Sequence, residues 1–258
     1  MGGGLSRLVA VAANTFRETV RERVLYNLVF FAILMTLSGL LLGELSIRQD
    51  EKVLKDIGLA AMDLFGTVIA IFIGVGLVSK EIERRSLYPL LAKPLSRGEF
   101  FLGKFAGLAF TLLVNLAVMT VGLYATLLAT GRAADPLLLA AIYPIFLGLI
   151  MVVAFAMLFS TVTSSTLASL LTVGVVIAGR FSDVVRNMRE VLPGVPAWMV
   201  NGLYAVLPDF QKFDFKDRVA YGDPVPGDVL AWLTLYAGAY VTIVLGLGLA
   251  AFRSKDFQ

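Results

Sequence analysis

Six long apolar stretches, separated by charged segments, constrain this chain more than any other feature of its sequence. An uncharged run of about 18 or more residues can cross the ~30 Å hydrocarbon core of a bilayer as a helix. Only helices and closed barrels satisfy their backbone there, and these runs are too long for barrel strands. The predicted spans are Tyr26–Gly43, Ile57–Ser79, Phe105–Ala129, Leu137–Phe159, Thr166–Phe181 and Val229–Phe252. The sequence therefore predicts an all-α polytopic membrane protein, with residues 1–258 forming a single transmembrane domain.

Composition supports this class and excludes several kinds of site. Apolar residues make up 58% of the chain and the mean hydropathy is +0.84. The chain contains neither Cys nor His, which rules out thiolate or imidazole metal sites, Cys nucleophiles and His-based triads. A site built from carboxylates alone remains open. We expect no catalytic site, no metal site and no cofactor on this chain.

The distribution of charge predicts the orientation. With the N-terminus inside, the cytoplasmic segments hold twelve Lys and Arg against six acids. The other side holds ten Lys and Arg, but six of them lie in the long 180–228 segment, which counts weakly in the positive-inside rule. We therefore expect a multi-pass protein of the cell inner membrane with both termini in the cytoplasm. The positive excess reflects topology rather than nucleic-acid binding.

Two segments outside the spans have patterns of their own. Residues 5–24 carry Leu5, Leu8, Ala12 and Phe16 at helical spacing, which predicts an amphipathic helix along the inner membrane surface. The alternative is the flank of a signal anchor with incidental periodicity. Residues 182–228 predict an extracytoplasmic cap of interfacial helices followed by a turn-rich loop.

The 80–104 segment between the second and third spans is longer than a connector requires. Its charges alternate with apolar residues, and Ser96 could cap a short helix that leads into the third span. A solvated loop that only supplied positive charge would explain its Lys and Arg, but not the interleaved acids and apolar residues. The segment therefore predicts contact with a cytoplasmic partner.

One motif in this segment is misleading. Residues 98–104 fit the first seven positions of a phosphate-binding loop, but Phe105 stands where Ser or Thr would hold Mg²⁺. No strand precedes the motif, and it opens a membrane span. If ATP drives this protein, another chain binds the nucleotide.

Three polar residues in or beside the spans are further candidates. Asp63 could contact a substrate or an ion at the outward end of a pathway, or it could reach surface water or pair with Arg180. The second, structural interpretation is favoured. Asn115 is expected to form a hydrogen bond between helices, and Gly103 and Gly107 permit a close helix contact.

The segment Glu81–Lys104 resembles a signature of ABC transporter permeases of the type-2 exporter family, which have the type V transporter fold. Arg85 replaces the usual glycine, Ser86 the usual threonine, and Pro89 precedes the paired leucines. The matching positions are Glu81, Glu83, Leu90, Leu91, Pro94, Ser96, Arg97, Gly103 and Lys104.

This resemblance implies a permease that pairs with a second copy or a homologue and docks a separate ABC ATPase beneath the membrane. ATP and Mg²⁺ would be bound by that ATPase, and the 80–104 segment would form the coupling helix that fits a cleft in it. The residues implied in coupling are Glu81, Glu83, Arg84, Arg85, Lys93, Pro94, Arg97, Gly103 and Lys104.

Two other classes compete with an ATP-driven exporter. An ion- or proton-coupled secondary transporter would work without an ATPase, but such carriers usually show internal repeats and several ionisable groups within their spans. An intramembrane enzyme would need clustered acids, a Ser–Lys pair or histidines near one interface. Neither pattern stands out, and no residue identifies the substrate.

Overall fold

The computed structural model describes residues 2–19, 30–35, 37–38, 50–83, 96–182, 196, 202 and 207–254, and these residues contain no strand. Residues 30–35 and 37–38, within the predicted first span, are helical. A short 3₁₀ helix covers Phe210–Phe213. The α-helices are α1 (Gly2–Thr19), α2 (Asp50–Glu83), α3 (Arg97–Ala129), α4 (Leu137–Val162), α5 (Ser165–Arg180), α6 (Lys216–Ala220) and α7 (Gly227–Ser254).

Four of these helices are long and apolar enough to cross a membrane, namely α2, α3, α4 and α7. The fifth predicted span corresponds to α5, which has only 16 residues and is short, as its sequence indicated. Most of the first predicted span lies outside the described residues. The all-α class is confirmed for the part of the chain that the structure describes, whereas the count of six spans stays a prediction.

Two of the spanning helices begin earlier than the apolar runs predict. Helix α2 starts at Asp50 rather than Ile57, and α3 starts at Arg97 rather than Phe105. Charged residues do not end a helix, and Glu51 and Lys55 form an ion pair one turn apart within the extension of α2. The apolar run therefore marks the part suited to the bilayer, and the helix continues beyond it.

The long helices run up and down, with α4 in the middle. Gly66 of α2 packs against Leu149 of α4 and Gly74 packs against Ala156, so these two helices run in the same direction. Gly58 lies against Leu123, which places the end of α3 beside the start of α2. We call this end of the bundle the cap end, because residues 207–226 lie there, and the opposite end the α1 end.

Helix α1 lies alongside the first half of α3 and runs in the same direction. Its residues advance in step with those of α3, from Val11 at Gly103 to Thr15 at Gly107. The rings of Phe16 and Phe110 follow, with centroids 4.9 Å apart. Ala12 and Phe16 of the predicted apolar stripe take part in this contact, and the buried Thr15 lies on the same face. A location along a membrane surface stays a prediction.

Candidate functional site

The structure describes some of the predicted coupling residues, at the α1 end, and not others. Glu81 and Glu83 lie in the last turn of α2, where the structure describes the backbone only. Arg97, Gly103 and Lys104 all lie at the start of α3. The remaining four predicted residues, Arg84, Arg85, Lys93 and Pro94, lie outside the described residues.

Ser96 forms a complete capping box at the start of α3. Its hydroxyl accepts a hydrogen bond from the Glu99 N–H at 3.1 Å, and the Glu99 carboxylate accepts one from the Ser96 N–H at 2.9 Å. The capping role expected of Ser96 is therefore present. The expected short helix, however, is the first part of α3 itself, which runs without a break from Arg97 to Ala129.

The first turns of α3 are joined to the end of α7. A guanidinium nitrogen of Arg97 donates a hydrogen bond of 3.1 Å to the carbonyl oxygen of Arg253, one of the carbonyls that a helix C-terminus leaves without an intrahelical donor. The ring centroids of Phe101 and Phe252 are 5.9 Å apart. Lys104 is 4% exposed, with its ammonium nitrogen 5.2 Å from the centre of the Phe100 ring. The start of α3 is therefore anchored on α7 as well as on α1.

At the cap end, Asp63 of α2 pairs with Arg180, the last residue of α5. Two guanidinium nitrogens of Arg180 each donate a hydrogen bond of 2.7 Å to a different carboxylate oxygen of Asp63. One of them also lies 3.2 Å from the Thr67 hydroxyl. The Asp63 side chain is 18% exposed and the Arg180 side chain 38%, so the pair is only partly shielded from water. The structural pairing considered from the sequence is present.

Lys216, at the start of α6, is a third member of this cluster. Its ammonium nitrogen lies 3.3 Å from the carboxylate of Asp63 and 3.3 Å from that of Asp214. Burial lowers the pKa of Lys216, but the two carboxylates outweigh that effect and hold the pKa above its usual value. Sequence reasoning missed Lys216, because nothing in a loop sequence indicates contact with a residue 153 positions away.

These residues line a cavity of about 170 Å³ at the cap end. Helices α2, α4 and α5 form its walls, and the 3₁₀ helix with the residues after it covers it. The cavity combines the charged cluster with an apolar lining. Its residues are Asp63, Thr67, Ile145, Gly148, Leu149, Val152, Val176, Arg180, Phe210, Gln211, Phe213, Asp214 and Lys216.

A second polar cluster joins α2 to the turn before α4. The ammonium group of Lys55 lies 2.8 Å from the carboxylate of Asp135, and the Tyr124 hydroxyl donates a hydrogen bond of 2.8 Å to the Asp135 carbonyl. Burial raises the pKa of Asp135, but Lys55 and the Leu137 N–H outweigh it and hold that pKa below its usual value. The sequence did not reveal this cluster, since its members belong to separate segments.

The hydrogen bond expected of Asn115 finds no partner among the described residues and stays a prediction. Its amide is 3% exposed, and neither its nitrogen nor its oxygen has a hydrogen-bond partner there. On the buried face of α3 its neighbours are Leu112, Leu116, Met119 and Thr111, and the Thr111 hydroxyl donates its hydrogen bond to the Gly107 carbonyl.

A comparison with protein families identifies a match over much of the chain. The model of a family described as ABC-2 family transporter protein matches residues 9–181, about two thirds of the sequence. This region runs from α1 to the end of α5 and includes Asp63 and Arg180. A search of curated proteins finds no match to the sequence.

Proposed function

The chain belongs to the ABC-2 transporter family, and from this premise we propose that it is the membrane-spanning permease subunit of an ATP-driven exporter. A separate ABC ATPase would bind ATP and Mg²⁺ and dock against the 80–104 segment in the cytoplasm. A second copy of the chain, or a homologue, would complete the permease. Transport is then the work of the complex, and no reaction is catalysed by this chain.

The strongest structural support is the continuity of α2 and α3. Helix α2 carries Glu81 and Glu83 at one end and Asp63 toward the cap end, and α3 begins within the 80–104 segment, directly after Ser96. A movement of the docked segment would therefore reach the cap end through two unbroken helices. The contacts of α3 with α1 and with Arg253 would make the receiving end rigid.

The helical conformation of residues 98–104 supports the proposal that another chain binds ATP. These residues lie within α3, so their backbone N–H groups are directed along a helix and cannot form a loop around phosphates. The Lys104 side chain, which a phosphate-binding loop would extend toward the nucleotide, is buried beside Phe100. The partial sequence match to such a loop is accounted for by a capped helix start.

Co-purification tests the proposal. The chain, expressed together with a candidate ABC ATPase from the same genome, should purify in a stable complex, and Glu83→Ala should weaken that complex by disturbing the docking segment. Asp223→Ala, which alters an exposed acid at the opposite end, is the matched control and should not weaken it. A chain that purifies alone and transports substrate without ATP would instead identify an ion- or proton-coupled carrier.

Thiol labelling tests the orientation, because the native chain has no cysteine. Tyr221 is exposed at the cap end and Ser96 is exposed at the α1 end. With both termini in the cytoplasm, Tyr221→Cys should react with an impermeant maleimide in right-side-out vesicles, whereas Ser96→Cys should react only after the membrane is opened. The reverse pattern would invert the proposed topology.

A further inference from the structure

One carboxylate on α2 holds two other elements at the cap end. Asp63 accepts hydrogen bonds from Arg180 of α5 and from Lys216 of α6. All three residues line the cavity, which lies between α2, α4 and α5. Separating α2 from either partner would break at least one of these ion pairs at the edge of the cavity.

The residues that cover the cavity have separate attachments to α5 and α7. Tyr236 of α7 accepts a hydrogen bond of 2.9 Å from the Asp209 N–H, and the Ser182 hydroxyl donates one of 2.7 Å to the Asp209 carboxylate. Gly179 of α5 lies against the Pro208 carbonyl and the ring of Phe210, where a larger residue would not fit. The 3₁₀ helix can therefore stay with α5 and α7 while the ion pair between Asp63 of α2 and Arg180 of α5 opens.

Helix α2 connects this cluster to the opposite end of the molecule. Twenty residues separate Asp63 from Glu83 within the one helix, which at 1.5 Å per residue is about 30 Å. The residues between them pack closely on α4, since a Cβ added at Gly74 would lie 2.6 Å from the Cβ of Ala156. A displacement at Glu83 is thus carried to Asp63 along a continuous helix.

We propose that Asp63, Arg180 and Lys216 form a latch that closes the cavity at the cap end, and that displacement of α2 from its docking end opens it. This inference rests on the proposed function, because the displacement comes from the ATPase. The latch is built from ion pairs rather than apolar packing. Hydrogen bonds have a strict geometry, so a shift of about 1 Å breaks them. An apolar contact would tolerate the same shift.

A buried cysteine reports whether the cavity is closed. Val176 lines the cavity and is 7% exposed, so Val176→Cys should react slowly with an impermeant maleimide. Lys216→Gln removes one cation from Asp63 and keeps the pair with Arg180, and it should raise the labelling rate about tenfold. Arg218→Gln, an exposed cation two residues further along α6, is the matched control and should leave that rate unchanged.

Asp63→Asn and the double change Asp63→Asn with Arg180→Gln should raise the rate further. In the double variant both members of the Asp63–Arg180 ion pair are neutral. This variant replaces Asp63→Asn in the measurement if the single variant does not fold. Equal labelling of Val176→Cys in the parent, in Lys216→Gln and in the double variant would overturn the latch.

The second measurement adds the partner ATPase and a non-hydrolysable ATP analogue with Mg²⁺. In the complex, the analogue should raise the labelling rate of Val176→Cys about tenfold. This response should be lost in the double variant, in which the latch is already open. A complex that binds the analogue without any change in labelling would overturn the drive through α2. Failure to form a complex would refute the proposed function, while the comparison of variants still tests the latch.

Discussion

Arg180, the last residue of α5, donates two hydrogen bonds of 2.7 Å to the two carboxylate oxygens of Asp63 on α2. This arrangement matches the planar fork of the guanidinium group to the plane of the carboxylate. A lone acid within a span would be costly to place in hydrocarbon. The pairing satisfies Asp63 and fixes the end of α5 against α2, so the carboxylate has a structural role whatever it does in transport.

Removing this carboxylate should destabilise the protein. Asp63→Asn leaves Arg180 and Lys216 without their shared anion, and because the Arg180 side chain is 38% exposed we expect a loss of about 2 kcal/mol rather than the full cost of a buried charge. Thermal unfolding in detergent measures the change. The double variant with Arg180→Gln should lose less than the sum of the two single losses, and strict additivity would contradict a direct interaction.

Gly107 should be sensitive to the smallest substitution. A Cβ at this position would lie 2.6 Å from the Ala12 carbonyl oxygen, so Gly107→Ala must push α1 away from α3 and cost about 1–3 kcal/mol. Cross-linking yield between cysteines at Phe16 and Phe110 measures the separation of the two helices. Gly246→Ala, with nothing within 4 Å, is the control and should retain full stability. An unchanged yield in Gly107→Ala would argue against this packing.

The start of α3 should depend on its cap. Ser96→Ala removes the hydroxyl that accepts from the Glu99 N–H, and we expect a cost of about 1 kcal/mol. Faster hydrogen exchange of amides 97–100 would report the frayed first turn. Ser164→Ala is the matched control, because Ser164 occupies the N-cap of α5 without a side-chain capping hydrogen bond. Equal responses of the two helices would contradict the capping role.

Acid should weaken the join between α2 and α4 through Asp135. Burial raises the pKa of Asp135, but Lys55 and the Leu137 N–H lower it more, so its pKa is lower in the folded than in the unfolded chain. The resulting stabilisation is complete above the unfolded value of about 3.9 and is lost as pH falls through the folded pKa. The Tm difference between the parent and Asp135→Asn should therefore shrink as pH falls below about 4.

Asp223→Asn, which changes an exposed acid in the loop before α7, provides the comparison for this pH series. The Tm of this variant should equal that of the parent at every pH in the series. If the difference between the parent and Asp135→Asn stayed constant through the acid range, the ion pair with Lys55 would not contribute to stability.

Several features could be predicted because they depend on neighbouring residues or on composition. Apolar runs longer than any strand identified α2, α3, α4 and α7 as helices suited to a membrane. The spacing from Ser96 to Glu99 is local, so a cap at Ser96 was predictable. Asp63 and Arg180 stood out because charged residues are rare in apolar surroundings, where opposite charges favour pairing.

The sequence by itself thus determined the class of fold, the positions of most spanning helices and the family. Only the tertiary structure decided that Lys216 joins Asp63, that Lys55 meets Asp135, and that Asn115 has no partner among the described residues. Helix formation and capping follow from interactions over a few residues. Contacts between distant segments depend on how whole helices pack, and no local pattern records that packing.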